Sequence, residues 1–295
     1  MINHTSRRSF IAGTLASAAA LAVGKALPAA EPRAGYQVGC YTRPWAQFDH
    51  LTAMDAIADA GFKYVGLMTT KRGLILSAAI STEDAAKIGE EAKKRGLEIP
   101  SAWGGDISVA KSLEAGIAAL RKLIDNCASA GVWTLLMGGV ADPNLYDRYY
   151  KAIAECCDYA AEKKVGITLK PHGGLNSTGP QCRKTIELVN HRSFTLWYDP
   201  GNIFYYSDGK LNPAEDAATV NGIVSGMCVK DFLPPKRVDV TPGTGKVDFP
   251  AVLAKLKQGG FTRGPLIIET LAPGDAKQTI AEAKKAKAFL EGLIQ

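Results

Sequence analysis

The feature that most constrains this chain is an alternation, repeated eight times between residues 36 and 293, of a short apolar run and a longer stretch with helical spacing. The apolar runs are YQVGCYT (36–42), KYVGLM (63–68), LEIPSAW (97–103), VWTLLMGG (132–139), VGITLK (165–170), SFTLWYD (193–199), IVSGMCVKD (223–231) and PLIIET (265–270). Each is short and rich in β-formers, as a buried strand requires. Stretches such as DHLTAMDAIADAG, STEDAAKIGEEAKKRG, LEAGIAALRKLIDNCASAG and LYDRYYKAIAECCDYAAEKK carry apolar residues at helical spacing, several ending in Gly, and later helices begin near Pro213, Asp248 and Gly274. Eight such units predict an α/β fold, the closed parallel (β/α)8 or TIM barrel. No glycine-rich phosphate turn follows the first strand, which argues against an open doubly wound sheet.

No linker, low-complexity tract or block of like charge interrupts the chain after about residue 35, so residues 31–295 read as one barrel domain. Residues 1–30 read differently. SRRSFIAG (6–13) followed by an Ala-, Gly- and Ser-rich apolar stretch to Val23 resembles a twin-arginine export signal, with Lys25 close behind. That run is shorter than the roughly 20 residues a spanning helix needs, so no permanent membrane anchor is expected. The resemblance implies a partner, the twin-arginine translocation machinery, and a periplasmic or otherwise exported location.

The formal net charge is +6, and Arg7, Arg8 and Lys25 would leave with the signal. The remaining excess is small, and basic residues alternate with acidic ones along the helices, so no nucleic-acid footprint is expected. The six cysteines, Cys40, Cys127, Cys156, Cys157, Cys182 and Cys228, lack CxxC metal spacing and fall mostly within apolar patterns, where burial is expected.

In such a barrel the chemistry sits at the C-terminal ends of the strands. Those ends carry Lys170 and His172 after the fifth run, Asp199 at the sixth, Cys228 and Lys230 at the seventh and Glu269 at the eighth. Strand side chains alternate between faces, so Lys170 pairs with His172 if the chain stays extended past Pro171, and Cys228 pairs with Lys230. Pointed inward, these groups form a ring of ionisable residues that must be paired or coordinated. Trp45 and Trp103 fall at the ends of strands one and three, where the apolar face of a ligand could lie on their rings; Arg43, Lys71, Arg72 and Asp106 are loop residues near the same mouth. Gly138, Gly139, Gly173 and Gly174 suit tight turns or close approach of a substrate.

The endings WYDPGN, VKDF and IIET, with TPGTGKVDFPAVLAKL between the last two and the eight-strand order, resemble the xylose-isomerase-like barrels of sugar phosphate isomerase/epimerase type over roughly residues 36–293. The resemblance implies a divalent metal (Mn, Mg or Zn) held by a Glu, an Asp, a His and a Glu at the ends of strands five to eight. Asp199 and Glu269 keep that pattern, while Lys170 replaces the first Glu, Cys228 replaces the His, and Asn202 stands where a substrate-contacting His often follows the Asp. Exchanging a carboxylate for an ammonium changes the charge facing a dication by two units, each worth on the order of 4 kcal/mol at about 4 Å and an effective dielectric near 20. At most a weakly held ion is expected. Either Lys170 takes the metal's place between Asp199 and Glu269, or it turns aside and His172, Asp199 and Glu269 hold a displaced ion.

The resemblance also implies proton transfer next to the carbonyl of a small-molecule carbohydrate, with a base and an oxyanion-stabilising group. Glu269 is the expected base. Lys170 is either a second acid/base, if burial lowers its pKa, or an oxyanion stabiliser if it stays charged; His172 is a proton carrier or ligand, and Lys230 orients a hydroxyl or developing charge. Export favours unphosphorylated sugars or glycosides. Alternatives are β-elimination from a keto-sugar or keto-glycoside, a non-catalytic carbohydrate-binding barrel, and an ion pair that only braces the fold. A DNA-repair nuclease on a related barrel is disfavoured, because beyond residue 30 the chain holds only His50, His172 and His191.

Overall fold

The computed structural model describes residues 34–105 and 107–295. The export-type segment and Asp106 lie outside the described residues.

Eight parallel strands close into a barrel: β1 (Tyr36–Tyr41), β2 (Tyr64–Leu67), β3 (Glu98–Gly105), β4 (Thr134–Met137), β5 (Gly166–Leu169), β6 (Phe194–Tyr198), β7 (Val224–Val229) and β8 (Gly264–Ile268). Each pairs with its neighbour in chain order, and β1 closes the ring against β8 from Tyr36↔Gly264 to Cys40↔Ile268. Every strand coincides with one apolar run of the sequence. The helices are α1 (His50–Asp59), α2 (Thr82–Lys94), α3 (Leu113–Ser129), α4 (Tyr146–Glu162), α5 (Gly179–Val189), α6 (Pro200–Tyr206), α7 (Pro213–Ala217), α8 (Phe249–Gln258) and α9 (Ala276–Leu293). Capping side chains start many of them, including Ser81, Ser112 and Asp248. All six cysteines are buried and unbridged. No helix among the described residues is long and apolar enough to cross a membrane.

Alternation along the strands divides the core in two. The larger cluster joins the outward strand faces to the helices, with Val65, Ile99, Leu135, Leu169, Leu196 and Leu266 among its members. The smaller one, Tyr41, Met68, Leu136, Trp197, Cys228 and Ile267, fills the barrel interior. Its two largest rings fit because their neighbours are glycines: a Cβ on Gly66 would lie 2.1 Å from the Tyr41 ring, and one on Gly226 would lie 2.3 Å from Trp197. Trp197, Cys228 and Ile267 each stand two residues before a charged group, Asp199, Lys230 and Glu269. The barrel thus stacks a layer of polar side chains directly on its apolar plug.

Candidate active site

The polar layer is a closed ion cluster at the C-terminal mouth. Lys170 Nζ lies 2.6 Å from Glu269 Oε2 and 3.3 Å from Asp199 Oδ2. Lys230 Nζ lies 2.7 Å from Glu269 Oε1 and 3.1 Å from Asp199 Oδ2. Arg43 Nη1 donates to Glu269 Oε1 at 2.7 Å from a partly exposed position. Lys170, Asp199, Lys230 and Glu269 are all buried. Burial of that depth is tolerable because every charge has an opposite partner and most polar atoms are hydrogen-bonded.

Local sequence explains how each group is held. Asp199 ends the sixth strand run and is also the N-cap of α6, its Oδ1 accepting from Asn202 N at 2.9 Å, with Pro200 in the first helical turn. Gly201 lets that turn approach the seventh strand, since a Cβ there would meet Lys230 Cγ and its carbonyl oxygen at 2.7 Å. The motif DPGN is therefore a joint between a catalytic-rim carboxylate and Lys230. Asp231, next in the chain, is buried and accepts backbone N–H groups from Phe232, Gly243, Gly245 and Val247 at 2.8 to 3.1 Å, which shapes the TPGTGKVDF loop.

Lys170 and His172 share the mouth at different depths. The fifth strand run delivers Lys170 into the cluster, with its ammonium 5.1 Å from the centre of the Trp103 ring. His172 is exposed above it, its ring 5.1 Å from Trp103 and 5.8 Å from Tyr206, while its backbone N–H donates to Asn176 O. Asn176 is buried, accepts from Tyr150 Oη and donates to Thr185, so this loop is anchored from below. Gly138 keeps a gap beside the imidazole; a Cβ there would stand 2.8 Å from Trp103 and 3.0 Å from His172 Nδ1. Gly139, Gly173 and Gly174 have positive φ, in keeping with tight turns.

The protonation states follow from this packing. Burial works against the Lys170 charge, but Glu269 and Asp199 outweigh it and hold the ammonium above the ordinary lysine range. The two carboxylates thus favour the charged form of Lys170 over a lowered pKa. Burial would raise Glu269, yet Lys170, Lys230 and Arg43 hold its carboxyl well below the usual range. The carboxyl therefore stays ionised in the free protein. Although the His172 residue is exposed, its ring is packed on the protein side; that desolvation first, and the charges of Lys170 and Lys230 next, push its pKa down to about 3. The imidazole is neutral at physiological pH.

Three other expectations change. Trp45 is fully buried in the core: a 3₁₀ turn, Arg43–Trp45, sends Arg43 to the mouth and Trp45 under it, so no substrate can lie on that ring. Asn202 is buried, donating to Pro171 O at 2.6 Å and accepting from Lys230 at 3.0 Å, so it positions Lys230 instead of reaching out to a substrate at the mouth. Lys230 has its three ammonium hydrogens matched by Asp199, Glu269 and Asn202, which leaves none to orient a hydroxyl. Lys71 and Arg72 sit at the exposed tip of the small Thr69–Thr70/Gly73–Leu74 hairpin after β2. Tyr206 was not foreseen; α6 brings it over His172.

A divalent cation does not fit this arrangement. Among the described residues, Asp199, Cys228 and Glu269 are the group whose donor atoms come together, within 4.8 Å of one another. The alternative trio of His172, Asp199 and Glu269 does not gather. Burial pushes the Cys228 thiol well above its ordinary range. Both carboxylates are already bridged by ammonium groups at 2.6 to 3.3 Å. The cations occupy the space and the lone pairs a metal would need.

The sequence profile of the family described as "Xylose isomerase-like TIM barrel" matches residues 54–292. The chain belongs to that family. Among curated proteins it is similar to the inosose dehydratase of Salmonella agona (strain SL483), at 24% identity over 72% of this chain and 81% of that one. Among solved structures it is similar to the D-allulose 3-epimerase of Methylomonas sp. in complex with D-allulose, with a TM-score of 0.70 at 19% identity over 88% of this chain and 98% of the other. It is equally similar, with a TM-score of 0.70 at 16% identity over the same shares, to a xylose isomerase-like TIM barrel protein of Mycobacterium smegmatis in complex with magnesium. At these identities the structural likeness speaks for the fold.

Proposed function

We propose that this chain is an exported enzyme of isomerase/epimerase type that moves a proton next to the carbonyl of a sugar or sugar-derived ketone. The observation that carries the reading is geometric: His172, exposed at the C-terminal mouth, lies with its ring 5.1 Å from Trp103, and the ammonium of Lys170 lies 5.1 Å from that same indole. In this reading His172 takes the proton from the carbon beside the carbonyl. The electron pair moves onto the carbonyl oxygen, which faces Lys170 and the outer edge of Arg43. The cations that keep the imidazole neutral in the free protein are offset as the enediolate forms, so its proton affinity rises in step with the charge on the substrate. Trp103 and Tyr206 supply an apolar wall for the ring, and export favours an unphosphorylated sugar or glycoside as the substrate. The similarity to an epimerase solved with D-allulose supports a carbohydrate substrate.

Return of the proton to a neighbouring carbon completes an isomerisation, while an epimerisation keeps the His172 proton on the imidazole and takes a different proton from water on the opposite face. The lyase reading shares the first step: imidazolium gives the proton to a β-hydroxyl, which leaves as water. It is favoured by the similarity to an inosose dehydratase and by the engagement of Glu269 with three cations, which leaves His172 as the accessible acid/base. Incubation in D₂O with aldoses, ketoses and 3-keto-glycosides tests both. Deuterium at the carbon beside the carbonyl with the elements of water retained assigns the isomerase/epimerase class, and deuterium with loss of water assigns the lyase. Saturable sugar binding with no exchange over the whole panel would return the protein to a binding barrel.

Export rests on Arg7 and Arg8 ahead of the apolar stretch to Val23. A double Arg7→Lys, Arg8→Lys variant is expected to accumulate unprocessed inside the cell; equal processing of variant and wild type would refute the twin-arginine route.

A further inference from the structure

We propose that the ammonium groups of Lys170 and Lys230 together replace a divalent cation at this centre, that the centre takes no such ion, and that Lys170 is the residue that decides it. The inference concerns binding and holds whichever reaction the site performs. Its first support is geometric. Two point charges bridge the same two carboxylates, Lys170 between Glu269 Oε2 and Asp199 Oδ2, Lys230 between Glu269 Oε1 and Asp199 Oδ2. Together they carry the charge of one dication.

The second support is saturation. Asp199 Oδ1 is taken by the backbone N–H of Asn202, Asp199 Oδ2 by both lysines, Glu269 Oε1 by Arg43 and Lys230, and Glu269 Oε2 by Lys170. Every carboxylate oxygen is thus accepting before any ion arrives. A metal could enter only by expelling buried ammonium groups that have no water to retreat into. The third support is net charge. Within hydrogen-bonding distance the cluster holds three cations, Lys170, Lys230 and Arg43, against two carboxylates, and the next carboxylate, Asp239, is exposed and 3.9 Å from the outer side of Arg43, so the buried centre itself opposes a dication.

Lys170 differs from Lys230 in what secures it. Lys230 is also tied to Asn202 and packed against Gly201, whereas the remaining contact of Lys170 is the Trp103 ring. Replacing Lys170 by Glu would put a third carboxylate within reach of Asp199 and Glu269 and change the local charge by two units, which converts a centre that opposes a dication into a three-carboxylate cation site.

The test uses the full chain and Mn²⁺ alone at neutral pH. After loading and dialysis, retained metal is measured by mass spectrometry, and affinity by Mn²⁺ electron paramagnetic resonance and by the thermal midpoint with and without the ion. Wild type is expected to retain none and to show no shift. Lys170→Glu is expected to bind at least about a hundredfold more tightly, from the two-unit change in charge, and to gain thermal stability with Mn²⁺; folding only in its presence would be the same result. Should that variant fail to fold in either condition, Lys170→Gln, which only removes the ammonium, is expected to bind about tenfold more tightly than wild type. Stoichiometric Mn²⁺ in dialysed wild type overturns the proposal. So does a folded variant whose affinity is unchanged.

Discussion

Lys170 Nζ and Glu269 Oε2 meet at 2.6 Å inside a barrel that leaves both residues without solvent exposure. A pair so deeply buried contributes little to stability by its mere presence, because removing two ions from water offsets most of their attraction. Its effect is to fix charge. The ammonium stays protonated, the carboxyl stays ionised, and a field of constant sign is aimed at the mouth where His172 and Trp103 stand.

Breaking that pair from one side should be costly. Lys170→Met leaves Glu269 with Lys230 and Arg43 but strips Asp199 of one of its two ammonium partners. A loss of roughly 3 kcal/mol is expected, near the lower end for an uncompensated buried charge, measured by urea denaturation. Adding Glu269→Gln to Lys170→Met should cost much less than the sum of the single changes, since the two groups share one network. Strict additivity would show that the contact is energetically idle.

The acid behaviour of His172 follows from its environment. In the unfolded chain an imidazole titrates near 6.5, whereas here it is held down to about 3. Between those values the unfolded state binds a proton that the native state does not, so stability falls as pH drops from about 6.5 toward 3 and levels off below. The size of the effect is reduced by the exposure of the residue. Its imidazole NMR resonances, assigned by their absence in His172→Gln, should show no titration between pH 8 and pH 5; a midpoint near 6 would contradict the cationic field. Under the proposed function the same variant should slow solvent exchange by about 10²–10⁴-fold with little change in stability.

Much of this was legible before the fold was known, and the limits are instructive. Lys170, Asp199, Lys230 and Glu269 could be placed on one inward layer because the strand period is two and each stands at a strand's C-terminal end. Trp45 could not, because a 3₁₀ turn interrupts that period immediately after Thr42 and sends the indole into the core. The grip of Arg43 on Glu269 was invisible as well, since it requires the turn after the first strand to carry that guanidinium across to the eighth strand end. The helix α5 was not among the stretches the sequence marked; Thr178 and Gln181 form the capping box that starts it. Pro200 and Gly201 form the first turn of α6 because the Asp199 carboxylate caps it.

Asp231 offers a test of how the site is framed. Its four backbone partners come from Phe232 and from the loop between Gly243 and Val247. In Asp231→Asn one acceptor becomes a donor facing donors, so a loss of about 2–3 kcal/mol is expected from broken charge-assisted bonds. Hydrogen exchange should show the amides of Gly243, Gly245 and Val247 deprotected together. Retention of their protection would mean that the loop holds itself.

Gly201 tests the joint between the sixth and seventh strand ends. Its backbone is in the first turn of α6, where alanine is a better helix former than glycine, so propensity alone predicts that Gly201→Ala stabilises by up to about 1 kcal/mol. The Cβ, however, would stand 2.7 Å from Lys230 Cγ and from the Lys230 carbonyl oxygen. Lys230 is held by Asp199, Glu269 and Asn202 and has no room to retreat. Overpacking of this kind costs roughly 1–3 kcal/mol, which outweighs the gain, so the variant should be net destabilised and its carboxylate cluster loosened. A thermal midpoint at or above wild type would show that α6 can slide away from Lys230, and that the spacing of these two elements is not what sets the position of the ammonium.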